Sequence, residues 1–356
     1  MKKLFGVLCA VLLLVACDNK KSDKPVVKIG AVVPLSGDSS NMGESAKNGM
    51  IMAMNEINAD PNNKFKYEIV IEDGFDPKKT VSLYDKLKNY DKIDVLISEN
   101  AAMGHAVKEK VKNDKILHIS FSADGSVADN EYTFNNSSDL NALAAQLADY
   151  LKTQKVKTIG IVTMNHMAGE AILAATEPEL KKNNIKIVAT EKILPDAKNV
   201  KTEVMQVKKK NPDIVLLYAY EPLMSIFARE LKIAGYKGKL TTYYLFAFSS
   251  DPNLFDGNYF INAPSGTVDF KQRYADEFSG KVSDISVPAH YDAVKIIHDV
   301  FEKYGRENVD YGQKLHQVIS DYNGANGKLH MNQKGIIYSD GIIEKIQDGK
   351  PVLVTE

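Results

Sequence analysis

The sequence predicts an α/β fold of two doubly wound parallel-sheet lobes, joined by a hinge that the chain crosses three times. Three observations carry this expectation. Apolar runs rich in β-branched residues alternate with segments of helical period almost from end to end, as strand–helix–strand units require. The runs are continuous instead of alternating, which marks strands buried on both faces. The series stops at a polar break, FNNSS at 134–138, and then restarts, so it builds two sheets.

Residues 26–34 (VVKIGAVVP) read as the first strand. Met42, Ala46, Met50, Ala53, Met54 and Ile57 follow at spacings of three and four, which puts them on one helical face. Residues 67–73 (YEIVIED) are the second strand. Asp76-Pro77 opens the next helix, with Asp as N-cap and proline in the first turn, where its missing N–H is an orphan anyway. Residues 94–98 (DVLIS) and 115–122 (KILHISFS) complete the first series. The second begins with an amphipathic helix over 139–151, carrying Leu140, Leu143, Ala144, Leu147 and Leu151 on one face. Its strands read as 158–163 (TIGIVT), 185–190, 213–220 (DIVLLYAY) and 240–248 (LTTYYLFAF), with a helix over 222–234. Polar breaks at 262–265 (NAPS) and 323–328 (NGANGK) supply two more crossings, with helices over 268–278 and 288–304 between them and short strands over 336–346 after them. The expected division is 26–135 with 265–325 for lobe 1, and 136–264 with 326–356 for lobe 2.

The N-terminal end bears on location. Lys2 and Lys3 precede an apolar run over 4–15, too short to span a bilayer comfortably, in the layout of a secretory signal over 1–16. The run closes as Leu14-Val15-Ala16-Cys17, which resembles the bacterial lipobox. That resemblance implies cleavage before Cys17 and its lipidation, with several acyl chains making a stable membrane anchor. Residues 17–25 (CDNKKSDKP) are then a polar tether. The whole sequence has 45 basic and 46 acidic residues; losing Lys2 and Lys3 leaves 43 against 46, a formal charge of −3. With no basic block beyond the tether, nucleic acid is not an expected partner. Cys9 falls in the part removed, so Cys17 stands alone and no disulfide is expected within the mature chain.

Catalytic signatures are missing from the sequence. It has no GxxxxGK[ST] loop, no Gly-x-Ser-x-Gly elbow, and no His or Cys pair at zinc spacing. His105, His118 and His166 fall in different segments, and His290-Tyr291 reads as packing for a lobe 1 helix. Asp73 and Asp76 read as a loop tie and a helix cap, and the run Lys208-Lys209-Lys210 as a helix end where cations complement the dipole. No catalytic residue, metal or cofactor is expected.

Several segments in order resemble one family. Residues 28–58 (KIGAVVPLSGDSSNMGESAKNGMIMAMNEIN) are similar to the opening of leucine/isoleucine/valine-binding proteins, with Leu35-Ser36-Gly37, Gly43 and the closing Asn55-Glu56-Ile57-Asn58 as matching elements. Residues 72–81 (EDGFDPKKTV), 119–125 (ISFSADG), 156–170, 212–222, Tyr291-Asp292-Ala293 and 332–350 follow in the same order. The resemblance implies a type I periplasmic binding protein, the substrate-binding receptor of an ABC importer, with a ligand held at the C-terminal strand ends. Helix N-termini converge there and offer free N–H groups.

Carried over residue by residue, the resemblance implies three ligand loops in lobe 1. They are 35–43 with Ser36, 98–104 (SENAAMG) with Asn100, Ala101 and Ala102, and 121–126 (FSADGS) with Ser122 and Asp124. Where the family offers a hydroxyl and an N–H to the ligand carboxylate, Ala101-Ala102 keeps the N–H and lacks the hydroxyl. In lobe 2, Ala168 replaces the usual aromatic before Gly169, His166 lies in a cleft-facing loop, and Tyr220 keeps the family aromatic. The acid that meets the ligand ammonium falls on Tyr243 or Tyr244, so that role is expected to pass to Asp124 or Glu99. Tyr218, Tyr220, Tyr243, Tyr244, Phe246 and Phe248 cluster near two strand ends, but alternate strand residues must point into the core, so only part of the set can face a ligand. The expectation is a lipid-anchored receptor of the cell envelope, on the periplasmic or extracellular face of the cytoplasmic membrane. It takes an amino acid or related molecule and serves an ABC permease and its ATPases. A regulatory or sensory lipoprotein on the same fold is the alternative.

Overall fold

In the computed structural model the described residues are 24–37, 39–278, 285–306 and 310–354. The expected signal segment, Cys17 and Asp38 lie outside them. The first series runs β1 (Val26–Val33), α1 (Ser40–Ala59), β2 (Lys66–Asp73), α2 (Pro77–Lys86), β3 (Val95–Glu99), α3 (Ala101–Asp114), β4 (Leu117–Phe121) and β5 (Thr133–Asn136). The second runs α4 (Leu140–Thr153), β6 (Thr158–Met164), α5 (Met167–Lys182), β7 (Lys186–Ile193), α6 (Lys201–Lys210), β8 (Ile214–Tyr218), α7 (Leu223–Ile233), β9 (Lys239–Thr241) and β10 (Tyr259–Asn262). The chain then returns through α8 (Val268–Phe278), α9 (Ser286–Tyr304), α10 (Tyr311–Ile319), β11 (Asn323–Gly324), β12 (Gly327–Met331) and β13 (Ile336–Ser339), and ends in β14 (Ile342–Gln347) and β15 (Lys350–Leu353).

The first sheet has the order β11-β12-β13-β5-β4-β3-β1-β2, with β1 to β5 and β13 parallel. The second has the order β7-β6-β8-β9, all parallel, and a single bridge from Tyr243 to Ile261 joins it to the antiparallel set β10-β14-β15. Each lobe has its own core. Ile29, Met50, Ile97, Phe134 and Val294 lie under one face of the first sheet, with Val32, Tyr84, Leu96 and Val107 under the other. Leu147, Ile161, Leu216, Phe227 and Phe260 belong to the core of the second. Burial on both faces accounts for the unbroken apolar runs. Among the described residues no helix is long and apolar enough to cross a membrane.

Local chemistry places several elements as expected. The Asp76 carboxylate accepts the Lys79 N–H at 2.9 Å, with Pro77 in the first turn of α2. Asp73 ties the loop after β1 by accepting from Leu35 N at 2.8 Å and the Ser36 hydroxyl at 2.6 Å. Tyr291 packs α9 onto α1 and donates from its hydroxyl to Glu56 at 2.5 Å.

Three expectations need correction. FNNSS does not begin as a break: Thr133–Asn136 is a buried strand. The side-chain NH2 groups of its asparagines find carbonyls, Asn135 donating to Ser122 O at 2.9 Å and Asn136 to Ala289 O at 2.7 Å. The run 240–248 is not one strand. β9 stops at Thr241, Tyr244 takes a left-handed backbone (φ 50), and a 3-10 turn over Leu245–Phe248 follows. The boundary at 326 also moves, because β12 and β13 pair into the first sheet. NGANGK is a tight hairpin of lobe 1, held by the buried Asp292 carboxylate, which accepts from Ala325 N at 2.6 Å. The crossings therefore fall at 137–139, 263–267 and 340–341. Two of them are tied side chain to side chain: Asn332 donates to Asp139 at 2.7 Å and Gln146 to Asp340 at 2.8 Å.

Candidate functional site

The crossings set where a site can form. The chain leaves β5, β13 and β10 at their C-terminal ends to pass between lobes. The C-terminal rims of both sheets therefore open beside the hinge, and in open parallel sheets that rim is where loops and helix starts converge.

On the first rim, Asn100 turns the chain from β3 into α3. It takes a positive φ of 54 with an extended ψ of 163, its N–H donates to Phe121 O at 2.9 Å, and its side-chain oxygen caps Met103 N at 3.0 Å. Ala101 and Ala102 then form the first turn of α3, where backbone N–H groups and the positive dipole end suit an anion. Ser36 is exposed, but its hydroxyl is committed to Asp73, whose carboxyl this bond and the Leu35 N–H hold below the usual carboxylate range. Asp124 stands on the surface of the next loop. It accepts from Ser126 N at 2.9 Å and lies 3.3 Å from His105 Nε2. Burial alone would raise the Asp124 carboxyl, yet Ser126 and His105 outweigh it and keep it low, so it is charged at neutral pH.

Two residues expected at this rim lie beneath it. Ser122 is buried and its hydroxyl is used locally, accepting from Asp124 N at 3.0 Å and donating to Asp124 O at 3.2 Å. It braces the loop that presents Asp124. Glu99 is buried beside His290 Nε2 at 3.1 Å, so the ammonium role proposed for Asp124 or Glu99 rests on Asp124 alone.

On the second rim the structure brings His166, Tyr220 and Tyr244 together. His166 precedes α5, and its Nδ1 accepts the Gly169 N–H at 3.2 Å. The ring stacks on Tyr220 at a centroid distance of 5.5 Å and an angle of 27°. The Tyr220 N–H donates to Met164 Sδ at 3.2 Å, and its hydroxyl lies 3.4 Å from that of Tyr218. Tyr244 closes the group. Burial and then the nearby Tyr220 push its hydroxyl up to about 12. A left-handed backbone on an aromatic residue is a sparsely populated state of the kind that collects at ligand clamps.

The other aromatics of this segment divide between core and surface. Tyr243 is fully buried, with its hydroxyl 2.7 Å from Thr176 Oγ1, and Phe246 stacks on Phe255 at 4.3 Å in the core. Phe248 is exposed. Sequence reasoning missed Glu221, which follows Tyr220 directly. Its carboxylate accepts from Ser225 Oγ at 2.7 Å, Ser249 Oγ at 3.0 Å, Ser250 N at 3.2 Å and Ser225 N at 3.3 Å, tying the loop after Tyr244 to the start of α7. Burial would raise this carboxyl, but these bonds bring it below the ordinary value. An acid just before a proline-led helix was the available signal.

Comparisons agree with this geometry. A sequence model of the family described as periplasmic binding protein matches residues 26–337. The Leu/Ile/Val-binding protein of Escherichia coli (strain K12) is 29% identical over 220 residues, a match that spans 59% of this chain and 59% of that protein's length. An ABC transporter substrate-binding protein from Desulfitobacterium hafniense superposes with a TM-score of 0.75 at 18% identity, covering 92% of this chain and 100% of that one. A solute-binding protein of an ABC transporter from Rhodopseudomonas palustris BisB5, solved in complex with 3,4-dihydroxybenzoic acid, superposes with a TM-score of 0.68 at 16% identity over 93% and 96%. At these identities the two superpositions speak for the fold.

Proposed function

The chain belongs to the periplasmic binding protein family, and from that premise we propose that it is the extracytoplasmic solute receptor of an ABC importer, holding an amino acid or amino-acid-like molecule between its lobes. The observation that supports this most is the junction of three short crossings with the C-terminal rims of both sheets. A ligand held by the first rim is covered when the second lobe hinges over it. The start of α3 takes an anionic head group, Asp124 takes a donor or cation, and the His166–Tyr220–Tyr244 wall takes the rest. Ser36 and Ser122 act as loop braces. Binding and closure need no chemical step, and the partners in this reading are a membrane permease and its ATPases.

The test is a thermal-shift screen of a soluble form starting at Asp18, against amino acids, amides, aromatic acids and dipeptides. A ligand at 100 to 1,000 times its Kd stabilises the folded state by about 3–4 kcal/mol, a shift that is easily read. Once a ligand is in hand, Asp124→Ala should weaken it by about tenfold or more, since a charged hydrogen bond contributes about 1.5–3 kcal/mol. Unchanged affinity removes Asp124 from the site, and a flat panel from folded protein overturns the receptor reading.

Cys17 is proposed as the lipidated residue, on the resemblance of Leu14-Val15-Ala16-Cys17 to a lipobox. Cys17→Ser should move the full-length protein from the membrane fraction to the soluble extracytoplasmic fraction. Retention in the membrane at the wild-type level would refute the anchor.

A further inference from the structure

The second rim departs from what a carboxylate-bearing pocket needs. Its exposed wall is aromatic: Tyr220 is 44% exposed, one face of its ring is covered by His166, and Tyr244 stands beside it. The Tyr218 and Tyr220 rings meet at 61°, which makes a corner instead of a flat surface. The sequence contains no tryptophan, so tyrosine offers its most electron-rich ring face. The tyrosines of this wall carry no positive charge, and the phenol of Tyr244, pushed up to about 12 by burial, keeps its proton at neutral pH.

The charges around the corner point the same way. Glu221 follows Tyr220 in the chain, and its carboxylate is occupied by Ser225, Ser249 and Ser250, which leaves it no free oxygen to grip an ammonium. The positive dipole end of α5 is offset by Glu170 in its first turn, and Lys192 is spent on that same Glu170 at 2.5 Å. On the first rim Lys108 is tied to Ser126 O and Ala128 O, and Asp124 remains as the surface charge.

We propose that the second rim is a cation subsite, in which the open face of Tyr220, with Tyr244 at its side, receives a positively charged and preferentially N-alkylated nitrogen of the ligand. This rests on the reading of the interlobe cleft as a solute site. A ring face attracts a cation through its quadrupole and asks for no N–H donors, so methylation of the nitrogen costs no hydrogen bond there. The first turn of α3 stays available for a carboxylate, so zwitterions with an alkylated nitrogen fit the site as well as simple amines do.

Calorimetric titration of the soluble chain with phenethylamine, its N,N,N-trimethyl derivative, leucine and benzoate separates the cases. Both cations are expected to bind, with trimethylation leaving affinity unchanged or improving it. Tyr220→Leu should weaken both by about tenfold, whereas Tyr220→Phe, which keeps the ring face, should stay within about threefold. Binding of leucine or benzoate with neither cation bound overturns the cation subsite and leaves the receptor standing. Loss of binding on trimethylation, or cation binding indifferent to Tyr220→Leu, overturns it too. Binding of no probe by a cooperatively folded chain overturns both readings.

Discussion

Gly169→Ala is expected to destabilise the second lobe by about 3 kcal/mol or more, and Gly43→Ala to do the same to the first. A β-carbon on Gly169 would fall well inside contact distance of Met164 O, and one on Gly43 inside that of Pro34 O. Both obstacles are backbone atoms just at or after the end of the first strand of a parallel sheet, where no side chain can rotate away. The first turn of α5 or α1 must shift instead, against a core packed to near-crystalline density. Gly235 is the control. Its φ of +78 also favours glycine, but nothing lies within 4 Å of a β-carbon there, so Gly235→Ala should cost only about 1 kcal/mol. Urea unfolding of the three variants reads the difference. A Gly169→Ala midpoint no lower than that of Gly235→Ala would show that the strand–helix approach is slack. Gly169 carries a second consequence, since its N–H is the donor that orients His166 against Tyr220. Its replacement should therefore lower ligand affinity beyond what the stability loss explains.

The same close approach shows what the sequence could disclose. A glycine two or three residues into the helix after a β-branched run is a local signal, as is Asp76-Pro77 at the start of α2, and such features were legible. Features set by distant partners were not. Asn135 and Asn136 look like linker residues until the carbonyls that receive their amides are known, and Ala289 lies 153 positions away from Asn136. NGANGK looks like a crossing because its polarity is visible, while the Asp292 carboxylate that pins it within lobe 1 is not. The site divides in the same way. Family resemblance pointed to His166, Tyr220 and Tyr244, which the structure brings together. It could not tell that Ser122 and Glu99 are turned inward, since burial depends on α9 and on the loop's own folding. Tyr243 and Tyr244 are adjacent in sequence and opposite in fate because the chain turns through a left-handed backbone at Tyr244, just after the bridge that Tyr243 makes to Ile261.

Asp292→Asn should make the first lobe sharply acid-sensitive, and His118→Gln should give it the opposite slope. Both groups are fully buried in that lobe. His118 lies between Ser98 Oγ at 2.8 Å and Thr133 Oγ1 at 3.2 Å, and burial pushes its imidazole down to about 3. Burial likewise raises the Asp292 carboxyl to about 7, although the N–H groups of Ala325 and Asn326 work against it. An imidazole depressed from about 6.5 takes up its proton only on unfolding. Its contribution is therefore whole above pH 6.5 and falls by about 3 kcal/mol on acidification to pH 4. A carboxyl raised from about 3.9 holds its proton only when folded. Its contribution is whole below pH 4 and is lost, by about 4 kcal/mol, as pH rises to 7. Between pH 4 and 6.5 the two slopes cancel in the wild type, so its stability should vary little there. Removing Asp292 leaves the histidine branch, about 1.4 kcal/mol lost per unit of acidification, and removing His118 leaves the carboxyl branch with the reverse sign. Denaturant unfolding at pH 4, 5, 6 and 7 compares slopes, which are independent of whatever constant offset each substitution brings. Parallel curves for the three proteins would mean that neither buried group changes protonation on unfolding in this range.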